Sequence, residues 1–320
     1  MRVAIVGAGL SGLMAGRALR DAGHEVVLFD KGRSPGGRLA TRRIGEARLD
    51  HGAQFFTVRT DDFARHVDEW QGQELVYEWC RGFDTDGDGY PRYAARGGMN
   101  ALAKHLAVGL DVRCNALVFS LHHEPAPAGA AGRGTWQVRL DDASVHEADA
   151  LVVTCPIPQM FSLLMSAEVE LPEALWRTDY DRTLSLLAVC DGPMAVPEPG
   201  GVQSAEGFTF IADNQRKGVS ALPAITVHAD AAWSLEHWDQ PADDVHRLLL
   251  ERAAPWIGSA NVVTSQLKRW RFATPQRTWA EPTWTSDAAP GLALAGDAFA
   301  GPRMEGAALS GLAAAAALLG

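Results

Sequence analysis

The chain has 320 residues, 47% of them hydrophobic and 21% charged. That composition excludes a disordered, collagen-like or coiled-coil protein and leaves room for about two domains at ~150 residues each. Lys plus Arg number 29 against 39 Asp plus Glu, a net charge of -10, which argues against nucleic acid or an anionic membrane as the main partner. The cysteines (Cys80, Cys114, Cys155, Cys190) are dispersed and form no CxxC pair, as suits a reducing, cytoplasmic setting. Neither apolar terminus reads as a membrane span. Residues 1–23 carry five glycines, and 306–320 are only 15 residues long, short of the ~18–20 that a bilayer needs.

In chain order, residues 2–6 predict a buried strand, Ser11 to Ala22 a helix ended by Gly23, and Glu25 to Phe29 a second strand with Asp30 at its carboxyl end. Strand, helix, strand within about 30 residues is the βαβ unit of a parallel sheet. Residues 55–95 are aromatic in texture and lead to a glycine pair, a helix over 99–108 and a strand over 110–114. Strand-like runs follow at 116–121, 135–140 and 145–153, with a hairpin connection at 125–134, and Ala150 to Thr154 reads as an apolar strand ended by Pro156 and Pro158. Alternating strands at 184–190, 207–212 and 224–228, with a helix over 241–254, predict a mixed-sheet domain. The chain then returns to its first texture, with a strand and glycine turn over 291–296 and a helix from Glu305 to Leu319. A strand-turn-helix of nucleotide type at each end predicts one α/β coenzyme domain with a substrate domain inserted into it.

The chemistry begins at Gly7-Ala-Gly9-Leu10-Ser11-Gly12, between the first strand and its helix. In such a loop the first glycine permits the tight turn, the second lets the backbone approach a pyrophosphate, and the third lets helix and strand pack closely. Asp30 lies 18 residues beyond Gly12, where a carboxylate accepts ribose hydroxyls. Gly36-Gly37-Arg38 adds pliable backbone and a guanidinium suited to phosphate. At the far end Gly296-Asp297 and Glu305-Gly306-Ala307 offer an acid for ribityl hydroxyls and a helix start aimed at the edge of a flavin ring. A nicotinamide enzyme has no need of that second, distant site.

These segments resemble the FAD-dependent amine oxidase superfamily: Val3 to Gly12, Asp30-Lys31, Pro35-Gly-Gly-Arg38, Gly52-Ala53-Gln54, and Leu294 to Asp297 with Glu305-Gly-Ala and Ser310-Gly. The short length, His51-Gly-Ala-Gln-Phe-Phe56 and Lys268-Arg-Trp-Arg-Phe-Ala273 are most similar to its bacterial renalase-like branch. The resemblance implies a glutathione-reductase-type FAD-binding Rossmann domain (1–54, 97–156 and 288–320) with an inserted mixed-sheet α+β substrate domain (55–96 and 157–287). The substrate site is expected between them. It also implies an adenine contact through the backbone of Val118. No cysteine follows Cys190, so the cysteinyl-flavin link of monoamine oxidases has no counterpart and the FAD is expected to be noncovalent. The paired tyrosines of those enzymes are missing too.

Renalase-like relatives oxidise off-pathway isomers of reduced nicotinamide dinucleotides, with O2 as acceptor. The implied partner is therefore a small nicotinamide dinucleotide, and no catalytic base is required, because the dihydropyridine gains aromaticity on losing a hydride. Gln54, Phe55, Tyr93 and Trp270 are the candidate pocket walls, and Arg96, Arg271 and Arg92 the candidate phosphate ligands. The alternative is oxidation or desaturation of an amine or hydrophobic metabolite; a flavoprotein without turnover is a third reading. The acidic run 84–89 copies the start of a calcium loop but has Ala95 at its twelfth position, where a bidentate Glu belongs. The histidines show no metal-ligand spacing, so no metal is expected.

Overall fold

The structure is a computed structural model that describes residues 1–83, 88–127, 132–299 and 301–320. Its elements run β1 (Arg2–Val6), α1 (Leu10–Asp21), β2 (Glu25–Asp30), β3 (Thr41–Ile44), β4 (Ala47–Asp50), α2 (Asp61–Gly72), β5 (Val76–Cys80), β6 (Arg92–Ala95) and α3 (Met99–Leu106). There follow β7 (Asp111–Cys114), β8 (Val118–Glu124), β9 (Thr135–Leu140), β10 (Val145–Ala148), β11 (Ala150–Val153), α4 (Ile157–Ser166) and α5 (Glu173–Trp176). The remainder comprises β12 (Tyr180–Cys190), β13 (Gly201–Gln203), β14 (Phe208–Asp213), β15 (Ala224–Ala229), α6 (Ala231–Glu236), α7 (Ala242–Ile257), β16 (Val262–Pro275), β17 (Trp284–Thr285), β18 (Leu292–Leu294) and α8 (Met304–Leu319).

The chain divides into two compact units. The first holds Met1–Gly37, Ala103–Asp179 and Pro275–Gly320; the second holds Arg38–Leu102 and Tyr180–Thr274. These divisions fall at other residues than the boundaries drawn from sequence. Segments 38–54 and 97–102 lie in the second unit, where β3 and β4 pair with each other. Segments 157–179 and 275–287 lie in the first, where α4 packs on β8 and β17 pairs with β18.

The first unit is built on a sheet of order β17-β18-β11-β1-β2-β7. β1 lies at its centre, parallel to both β2 and β11. Strands buried on both faces read as unbroken apolar runs, and Ala4, Ile5, Leu151 and Val152 are fully buried. The predicted run 145–153 is in fact two strands. Residue 149 breaks it, because Asp149 leaves the β9–β10 hairpin to take the amide of Arg2 on its carboxylate at 2.8 Å. β11 then joins β1. Helices α1 and α8 pack against one another, so closely that a Cβ on Gly311 would stand 2.1 Å from the carbonyl oxygen of Ser11.

The second unit has a sheet of order β13-β14-β15-β12-β16. Alternation along β12 divides its buried side chains between two cores. Leu184, Leu186 and Ala188 meet α7 residues such as Val245 and Leu249, whereas Leu187 and Val189 meet Ile44, Ala47 and Leu49 of the β3–β4 hairpin. Helix α2, not predicted, carries its signal plainly. Thr60 caps it by accepting from the amide of Phe63 at 3.3 Å, and Phe63, Val67 and Trp70 are buried at helical spacing. The predicted hairpin connection closes where Glu124 pairs with Thr135, although 128–131 fall outside the described residues.

Two outcomes test these cores. Gly311→Val places a branched side chain where α1 and α8 touch, and overpacking of this kind costs about 1–3 kcal/mol; thermal unfolding should show it. His51 and His228 in the second unit are pushed down to about 3 and about 4, in both cases mainly by burial. The unfolded chain binds protons at these sites near pH 6.5 while the folded one does not. Stability should therefore fall as pH drops from about 6.5 towards 4, by up to ~1.4 kcal/mol per pH unit for each imidazole. Urea midpoints across that range should show a shallower decline in His228→Gln.

Candidate active site

The glycine-rich loop of the first unit has the form that dinucleotide binding needs. Gly7 sits at φ +103°, and a Cβ there would lie 2.6 Å from Oγ1 of Thr154. A Cβ on Gly12 would lie 2.0 Å from the carbonyl oxygen of Gly7, whereas one on Gly9 would meet nothing within 4 Å. The first and third glycines are thus required by crowding, and the second faces open space. No side chain caps α1, and its first turn carries no acid. The leading amides and the positive end of the helix dipole are therefore offered to an anion. Leu10 and Ser11 are buried, and the Ser11 hydroxyl is without a hydrogen-bond partner. Such an orphaned group, beside open space at an uncapped helix start, fits a pyrophosphate.

Asp30 organises the same corner. Its carboxylate accepts the amide of Ala8 and the amide of Gly32, both at 2.7 Å, which uses two of about four lone-pair positions and leaves others for ribose hydroxyls. Lys31, next in sequence, is exposed. Gly36 donates to the carbonyl of Ala8 at 2.8 Å. Gly37, at φ +53°, would place a Cβ 3.3 Å from Cα of Gly9, so the Gly36-Gly37 turn lies against the glycine loop. Val118 opens β8 and is buried, three residues beyond Asn115, whose amide is held by the Gly32 carbonyl.

The far end of the chain joins this unit as β18 and α8. The amide of Gly296 donates to Oγ of Ser310 at 2.9 Å, which ties the glycine turn to the helix. Asp297 and Glu305 are both buried carboxylates, and Glu305 lies in the first turn of α8, where the helix dipole favours an acid. Gly306 is obligatory: a Cβ there would stand 2.3 Å from the carbonyl oxygen of Gly301. Ala307 follows, its amide bonded to the carbonyl of Arg303.

The second unit holds the remaining predicted residues. Arg38 donates to the carbonyls of Phe272 and Ala273 at 3.4 and 3.2 Å and lies over the ring of Tyr180; its guanidinium fastens the end of β16. The amide of Ala53 donates to the Arg38 carbonyl. Gln54 is buried, and its amide nitrogen donates to the carbonyls of Asp50 and Gly52. Trp270 donates from Nε1 to the carbonyl of His51 at 2.6 Å and stacks on the His51 ring. Gln54 and Trp270 therefore converge on one loop, 50–54.

The other wall candidates lie in separate clusters. Phe55 joins Phe83 and Phe210, and Tyr93 stacks on Phe56. Arg96 lies over the Tyr77 ring, and exposed Arg271 over Phe272. Arg92 pairs with Asp88 and lies over Phe55. Asp84 and Asp86 of the calcium-like run fall outside the described residues.

Sequence reading missed the polar centre of this unit. Fully buried Lys217 reaches Oδ2 of Asp50 at 2.8 Å and Oε1 of Gln54 at 3.5 Å. Burial pulls its ammonium down and the Asp50 carboxylate opposes that. Asp50 also accepts from Oγ1 of Thr41 and from the amide of Met99. A Cβ on Gly98, at φ +103°, would lie 2.6 Å from the Thr41 side chain and 2.9 Å from that carboxylate. Oγ1 of Thr226 donates to the Asp50 carbonyl, and Nδ2 of Asn214 to that same hydroxyl. Nε2 of His228 lies 3.2 Å from the carbonyl of His51; a carbonyl only accepts, so that nitrogen carries the proton. The predictable part was Asp50-His51, which directly precedes the Gly-Ala-Gln segment. Lys217, in a polar turn, carries no periodic signal.

Comparison with known proteins identifies the family and the fold. Residues 5–70 match the family described as NAD(P)-binding Rossmann-like domain. Residues 67–319, more than half of the chain, match flavin containing amine oxidoreductase. Renalase of Mus musculus is 22% identical over 305 residues, covering 85% of this chain and 84% of that protein. Among solved structures, a putrescine oxidase bound to putrescine has a TM-score of 0.72 at 16% identity, covering 100% of this chain and 99% of the other. Cyclohexylamine oxidase from Brevibacterium oxydans IH-35A has 0.69 at 15%, covering 99% and 98%. These likenesses share the fold laid out above, and no described helix is long and apolar enough to cross a membrane. The chain belongs to the flavin-containing amine oxidoreductase family and is an FAD-dependent oxidoreductase.

Proposed function

We propose that the enzyme oxidises misreduced isomers of NAD(P)H to NAD(P)+, with O2 as acceptor. The observation that carries this reading is a likeness to a renalase that runs through 85% of the chain rather than through its coenzyme loop alone. The two segments that resemble the renalase-like branch, His51 to Phe56 and Lys268 to Ala273, meet in the structure through Trp270 and His51. Gly7 to Gly12 and Asp30 would hold the adenylate half of noncovalently bound FAD, and Asp297 with the start of α8 the flavin half. The chemistry that FAD supplies when bound is acceptance of a hydride from the dihydropyridine and its delivery, with one proton, to O2 as hydrogen peroxide.

The titration of the candidate residues suits such a reaction. His51 is held neutral at physiological pH by burial and by Lys268. The Tyr77 phenol is pushed up to about 12, and that of Tyr93 is also raised, both by burial first. None of these groups changes charge near neutrality, so none is poised as a general base. A dihydropyridine needs none. Its ring must only be held still and kept from water.

The decisive measurement is anaerobic mixing of the holoenzyme with each isomer. Flavin absorbance should bleach within about a second, the time scale of ordinary turnover at ~10 per second. Isomers that leave the absorbance unchanged, while an amine panel bleaches it, would reverse the reading in favour of amine oxidation. Asp30→Ala and Asp297→Ala should each lower the flavin content of purified protein, by the loss of a charged hydrogen bond of about 1.5–3 kcal/mol. Full flavin content in both variants would count against the placement of the coenzyme.

A further inference from the structure

One cationic corner of the second unit is used neither by the fold nor by the residues assigned above. Side chains on a strand alternate between its faces, so Gln266, Lys268 and Trp270 of β16 share one. That face is fixed at both ends. Nε of Arg42, on β3, donates to Oε1 of Gln266 at 3.2 Å, and Trp270 is held to the carbonyl of His51. Lys268 lies between them, its Nζ 5.0 Å from the centre of the Trp270 ring. Arg42 is exposed and Lys268 half-buried, so the corner is open to solvent.

Arg42 and Lys268 differ from the ion-paired cations of this unit. Arg81 pairs with Glu78, Arg92 with Asp88, Arg216 with Asp213 and Lys217 with Asp50. Among the described residues, neither Arg42 nor Lys268 makes an ion pair; Arg42 has a neutral amide and Lys268 an aromatic face. The two are close enough to repel, since Arg42, after burial, holds the Lys268 ammonium below its usual range, and both cations act on His51. His51 adds a buried Nδ1 that has no hydrogen-bond partner. Two unneutralised cations held near one another by fixed contacts repel until an anion joins them, and a guanidinium beside an ammonium suits a phosphate.

We propose that Arg42 and Lys268, supported by Trp270 and His51, form an anion subsite that takes a phosphate of the dinucleotide substrate. This rests on the isomer-oxidase reading and deepens it. Arg271, a neighbour of Trp270 in sequence, belongs to the opposite face of β16 and is not part of the subsite. Trp270 then acts as a positioning residue, fixing the lysine and the imidazole rather than lining the pocket as a bare wall.

The test uses FAD-saturated holoenzyme. In calorimetric titration with inorganic pyrophosphate, the wild type should bind, and Arg42→Gln and Lys268→Met should each weaken binding about tenfold, as loss of one charge-assisted contact does. Lys268→Arg should restore most of it, and Arg43→Gln, on the other face of the hairpin, should leave it unchanged. In turnover, the preference for a dihydronicotinamide dinucleotide isomer over the corresponding riboside, which has no phosphate, should fall about tenfold in the same two variants. Pyrophosphate that fails to bind the wild type, or binds the double variant undiminished, overturns the subsite. Pyrophosphate binding lost in the variants, with no isomer able to bleach the flavin, would sustain the subsite and refute the substrate. Isomers that bleach the flavin with an unchanged dinucleotide preference in both variants would do the reverse.

Discussion

The backbone contact between α1 and α8 sets the geometry on which the first unit depends. Residues three hundred positions apart meet there without an intervening side chain, since nothing larger than the hydrogen of Gly311 fits against the Ser11 carbonyl. The same helix gives Ser310, whose hydroxyl anchors the turn at Gly296. A helix that begins at the glycine loop and one that follows the terminal strand are thereby locked together. The glycine loop and the turn at Gly296 are thereby coupled through close packing, the kind of contact that tolerates little adjustment.

The second unit is organised by charge instead. Asp50 gathers a lysine, a threonine hydroxyl and a backbone amide on its carboxylate, and its carbonyl accepts from Thr226 and Gln54. A buried ion pair contributes little net stability once desolvation is counted, but it fixes the positions of its partners. Here it fixes the 50–54 loop, which carries His51 and Gln54. The residues that touch Trp270 are thus placed by a cluster that solvent does not reach.

How much of this could be read beforehand follows from how local each signal is. The glycine loop, Asp30, and the strand and turn before α8 were legible because each obeys a rule within a few residues: a tight turn, an uncapped helix start, an acid at a strand end. Helix α2 was equally local and was passed over, its three buried residues hidden among the aromatics of 55–95. The apolar strand from Ala150 was legible, but its break from β10 at Asp149 was not, because an apolar run does not show which strand it will pair with. The Lys217–Asp50 pair spans 167 positions and no spacing rule links its members. The same holds for Arg42 and Lys268, which are brought near one another by the hydrogen bond from Arg42 on β3 to Gln266 on β16.

The division of the chain has a consequence for biosynthesis. The polypeptide passes from one unit to the other at four places, and the central parallel sheet takes its strand β18 from residues 292–294. A ribosome-bound nascent chain therefore exposes the β11 edge, unpaired, until residues 292–294 have been synthesised. Unprotected strand edges of this kind are aggregation-prone.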